Sequence, residues 1–71
     1  APSELLPLLQ NLASQLAERN FSAMDSASAI EQKLANSSLA EGFRPISQAA
    51  QALNYDVALT ALRQWMHDMG W

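Results

Sequence analysis

The side chains that could do covalent chemistry are few. His67 is the only histidine, and a histidine on a helix can carry a phosphoryl group on a ring nitrogen. Its neighbours, Gln64 through Trp71, read QWMHDMGW, with no lysine to receive phosphoryl oxygens and with Asp68 beside it to repel them. That context reads as a helix-end histidine facing the C-terminal dipole. Ser26, preceded by Asp25 and followed by Ile30 and Glu31, could carry a group esterified to its hydroxyl. The carboxylates Glu4, Glu18, Asp25, Glu31, Glu41, Asp56 and Asp68 are scattered without paired ligand spacing, and there is no cysteine to supply a thiolate. No metal, cofactor or catalytic constellation is expected, and the chain is read as a non-enzyme.

These residues must be held by a domain of 71 residues, near the size at which one core just offsets the entropy of ordering the chain. Residues 1–71 are therefore read as one domain. Nearly half the residues are hydrophobic (49%) and only two are glycine, a balance that favours helices. The formal charge is −3, and the four cations Arg19, Lys33, Arg44 and Arg63 do not cluster, which argues against a nucleic-acid surface. No apolar run approaches the roughly 20 residues that span a bilayer, so this segment is not expected to insert into a membrane. A start at Ala1 rather than methionine suggests a domain excised from a longer chain.

Leu5, Leu9, Leu12 and Leu16 recur at the spacing of one helix face and predict a first helix over residues 4–19, with Ser3 as cap and Pro7 in or near the first turn. Phe21, Met24, Ala27, Ile30 and Leu34 predict a second over 21–35. Leu39, Phe43, Ile46, Ala50 and Leu53 continue the pattern, but Gly42 and Pro45 interrupt it, so a short turn followed by a helix over 45–53 is expected. Tyr55, Ala58, Leu59, Leu62, Trp65, Met66 and Met69 form the apolar face of a fourth helix, ended by Gly70, with Trp65 and Met69 turned inward. The expected fold is all-α: an antiparallel up-and-down four-helix bundle made of two helical hairpins. Trp71 follows the helix-ending glycine and is read either as an exposed partner contact or as a ring folded over the bundle's end.

One phrase is written twice. Asn20-Phe21 and Asn54-Tyr55 lie 34 residues apart, each followed by an alanine-containing apolar run. Each pair is expected at a tight corner between two helices, with Asn20 and Asn54 capping free amides and the Phe21 and Tyr55 rings folded over the open end of the hairpin.

Three resemblances follow from these motifs. Asp25, Ser26, Ile30 and Glu31 resemble the phosphopantetheine motif of acyl carrier proteins, which would make Ser26 the attachment site. Met24 stands where that family has glycine, and Ala27 where it has a large apolar residue. The 34-residue spacing resembles that of tetratricopeptide repeats, without their tryptophan, glycine and proline positions. Leu5, Leu9, Leu12 and Leu16 leading into NFSAMDSASAI, with residues 46–53 leading into NYDVALTAL, resemble the small helical domain at the C-terminal end of bacterial hybrid sensor histidine kinases. Phe21, Ala23, Tyr55, Asp56, Ala58 and Leu62 carry that likeness over nearly the whole chain. It implies a phosphotransfer-like bundle without the acceptor histidine motif, a non-catalytic module of a two-component phosphorelay that docks on a receiver or kinase domain. It also implies a cytoplasmic setting, free or as part of a membrane-bound sensor. Candidate contacts are Glu31, Lys33, Arg63 and His67 on the polar faces of the second and fourth helices, with Trp71.

Overall fold

A computed structural model describes residues 3–71; Ala1 and Pro2 lie outside the described residues, and with them the expected excision point. Four helices follow in order: α1 (Leu5–Ala17), α2 (Ser22–Leu34), α3 (Leu39–Gln51) and α4 (Tyr55–Asp68). Each packs on its successor and α4 closes on α1, so the helices stand at the corners of a square in up-and-down order. Among the described residues there is no strand, and no helix is long and apolar enough to cross a membrane.

A four-three-four spacing of apolar residues supplies the part of the core that α1 and α2 contribute. Leu5, Leu9, Leu12 and Leu16 are buried as the sequence pattern requires. On α2, however, the buried set is Ala23, Ala27, Ile30 and Leu34, while Phe21 is 71% exposed and Met24 only half-buried. The expected stripe is thus wrong in its first turn, where a large aromatic outweighed the smaller alanine that keeps the helical spacing. Small residues at 23 and 27 are consistent with close approach of α2 to its neighbours.

The interruption expected in α3 does not occur. The helix starts at Leu39, whose amide donates to Ser37 Oγ (2.9 Å), and runs through Pro45. Pro45 and the residue one turn before it, Glu41, both face solvent, where water can satisfy the carbonyl that proline leaves unbonded. Breaking the helix there would part Phe43 from Ile46, which are both buried on one face with Ser47 and Ala50. Gly42 has a packing reason as well. A Cβ at that position would lie 2.6 Å from Trp65 Nε1, so the glycine makes room for the indole of α4.

Trp65 is the hub of the C-terminal packing. Its ring meets Phe43 edge-on (5.6 Å, 61°) and Trp71 likewise (5.2 Å, 76°). Trp71 therefore folds back onto the bundle, the second of its two readings. Met69, expected to point inward, is 38% exposed instead.

The C-terminal ends of α1, α3 and α4 are closed by one repeated device. Arg19 (φ 55°), Leu53 (φ 61°) and Gly70 (φ 76°) all adopt the left-handed conformation. The Arg19 amide donates to the Leu16 carbonyl and the Asn20 amide to Gln15; Leu53 and Asn54 donate likewise to Ala50 and Ala49; Gly70 and Trp71 donate to His67 and Met66. Each is a Schellman cap, which satisfies carbonyls left free in the last turn. The twice-written phrase is therefore this cap followed by Asn and an aromatic residue. Ser3, by contrast, makes no capping bond to α1.

Candidate functional site

The two caps after α1 and α3 place both corners at the same end of the bundle. Arg19 Nη2 donates to Asp56 Oδ2 (3.2 Å) across that end, and Gln51 Nε2 donates to the Met24 carbonyl (3.1 Å), tying α3 to α2. The Arg19–Asp56 pair is solvent-exposed, which makes it a weak tether of up to about 1 kcal/mol.

Beyond the cap the corners part. After Asn20 the chain makes a tight turn: the Ala23 amide donates to the Asn20 carbonyl (2.9 Å), the Met24 amide to Phe21 (3.0 Å), and the Ser22 amide to Asn20 Oδ1 (2.9 Å). After Asn54 the α-helix begins directly, with the Ala58 amide donating to the Asn54 carbonyl (3.0 Å) and no capping bond from the Asn54 side chain. The cap expected of Asn20 is present and that of Asn54 is not. The first buried residue is Ala23 in one case and Ala58 in the other, four residues past Arg19 but five past Leu53. One residue of slip turns a helix by about 100°. Phe21 consequently projects into solvent, while Tyr55 packs half-buried against the core. The plug expected of Phe21 is therefore corrected, and that of Tyr55 holds in part. Leu53, expected in the core stripe of α3, lies past the end of that helix and is 44% exposed.

The polar candidates do not share a surface. Glu31 and Lys33 are exposed on α2, and Arg63 and His67 one turn apart on α4, but α2 and α4 are diagonal in the bundle. His67 sits in the last turn of α4, exposed, next to Asp68, whose carboxylate accepts from Gln64 Nε2 (2.9 Å). Ser26 is the fifth residue of α2 rather than its first, and its half-buried hydroxyl donates to Gln15 Oε1 of α1 (2.5 Å). Among the described residues, no three acidic or histidine side chains gather as a metal site.

What the sequence pattern missed is the exposed apolar set Phe21, Leu53 and Val57, all carried by the corner end. A shallow, mainly apolar groove continues from it along α4, lined by Asp56, Val57, Thr60, Ala61 and Gln64. The signal was available in the spacing, since 23, 27, 30 and 34 repeat the four-three-four interval of α1 and leave Phe21 outside the stripe.

Comparison with protein-family models, curated proteins and solved structures finds no match to this chain.

Proposed function

We propose that this bundle is a non-catalytic signalling module of the two-component phosphorelay class, a phosphotransfer-like domain that docks on a receiver or kinase domain and biases phosphotransfer there. The observation that carries the reading is the pairing of an up-and-down bundle with a histidine displaced to the last turn of α4 beside a carboxylate. Such a position offers a phosphoryl group a repelling neighbour instead of a cationic one. A docking role needs an accessible surface rather than a reacting residue, and the exposed apolar side chains at the corner end provide one.

Two other readings fit the geometry less well. A carrier protein presents its serine free at a helix start, whereas the Ser26 hydroxyl is held by Gln15 within α2. Tetratricopeptide hairpins stack in an open array, whereas here α4 closes on α1.

Titration of the isotope-labelled protein with a receiver domain and with a kinase core, followed by amide chemical shifts, tests the reading. Saturable shifts on a contiguous surface are expected with one of them. Silence with both at high concentration would end it, and acid-labile phosphate appearing on His67 would replace docking by a relay.

A further inference from the structure

We infer that the corner end is the docking surface, and that it receives a partner segment with apolar anchors flanked by lysine or arginine. The inference deepens the docking role proposed above and rests on it for its biological setting.

Two observations lead there. Leu53 holds a left-handed backbone conformation that is strained for an L-residue, yet α4 uses Gly70 for the same cap. Its side chain is 44% exposed, so core packing does not explain why leucine occupies the place. Phe21 and Val57, 71% and 52% exposed, lie at the same end, Phe21 turned out by the tight turn that starts α2. Large apolar side chains left exposed at one end of a bundle mark it as a candidate interaction site.

The charge around them decides the occupant. Glu18, Asp25 and Asp56 share this end with a single cation, Arg19, and that cation is already bonded to Asp56. Lys33, Arg44 and Arg63 lie elsewhere on the bundle. A second copy of the chain would bring the same excess of carboxylates against this end, whereas a basic segment would be attracted to it.

The probe is a helical peptide with a leucine face and lysine flanks, compared with its glutamate-flanked counterpart, each titrated into the labelled protein. The lysine peptide is expected to shift amides around residues 17–25 and 51–57 and to weaken at least about tenfold at high salt. It should also weaken about tenfold against a variant combining Phe21→Ser, Leu53→Gly and Val57→Ser, whose melting is measured to show that it remains folded. Equal binding of the glutamate peptide, shifts around Glu31 and Lys33 or Arg63 and His67 instead, or unchanged binding by the folded variant would overturn the inference. So would concentration-dependent shifts at the corner end without peptide, which would assign the surface to a second copy. A receiver or kinase domain binding at the polar faces of α2 or α4 would also remove this surface while leaving the docking role. The lysine peptide seated at the corner, with neither domain binding anywhere, would keep the surface and remove the phosphorelay setting.

Discussion

The corner after α1 and the corner after α3 share a backbone cap, an asparagine and an aromatic ring, but they dispose of the ring in opposite ways. Phe21 stands in solvent and Tyr55 lies against the core. The difference begins in the next turn. Asn20 bonds the Ser22 amide and starts α2 with a tight turn, whereas Asn54 leaves its side chain out and starts α4 as regular helix. A local phrase thus determines how a helix ends, while the rotation of the following helix is decided by which residues further along it reach the core. On α2 these are Ala23, Ala27, Ile30 and Leu34; on α4 they are Ala58 and Leu62, with Trp65 packed partly against them.

That contrast can be tested by paired substitutions. Tyr55→Ala should cost about 2 kcal/mol, roughly half the loss for a fully buried ring, and chemical denaturation would measure it. Should it cost no more than Phe21→Ala, the two corners are equivalent in solution and the contrast fails. Asn20→Ala should cost about 1 kcal/mol through its lost cap, and Asn54→Ala only a few tenths, read from the same unfolding curves. Leu53→Gly should raise stability by about 1 kcal/mol by relieving the left-handed strain. Arg19→Gly should gain less, about 0.5 kcal/mol, because it also removes the exposed pair with Asp56; thermal melts of the two variants would rank them. Smallest of all, Phe21→Ala should stay within about 0.5 kcal/mol of the parent, as a substitution at a solvent-exposed ring does.

Much of the fold was legible because it rests on periodicity. The leucines of α1, the closing glycine of α4 and the number and order of helices follow from spacing and cap chemistry. The start of α3 was not legible, since Pro45 signals a break wherever it is read locally. Its tolerance depends on Pro45 and Glu41 both facing water while Phe43 and Ile46 face the core. Gly42 likewise reads as a weak point until Trp65 is seen above it. The candidate surface was the least legible part. Glu31, Lys33, Arg63 and His67 lie on polar helix faces, but in an up-and-down bundle α2 and α4 occupy opposite corners and cannot pool those faces. The exposure of Phe21, Leu53 and Val57, by contrast, depends on how each helix is rotated against its neighbours.

By itself, the sequence determined an all-helical chain of two hairpins with repeated corners, because apolar spacing and chain-local hydrogen bonds carry that information. Only the tertiary structure decided which way each helix is rotated, which aromatic ring is covered and which surface stays open. Those outcomes depend on the fit of side chains from different helices in one close-packed core, where a one-residue slip turns a helix face by about 100°.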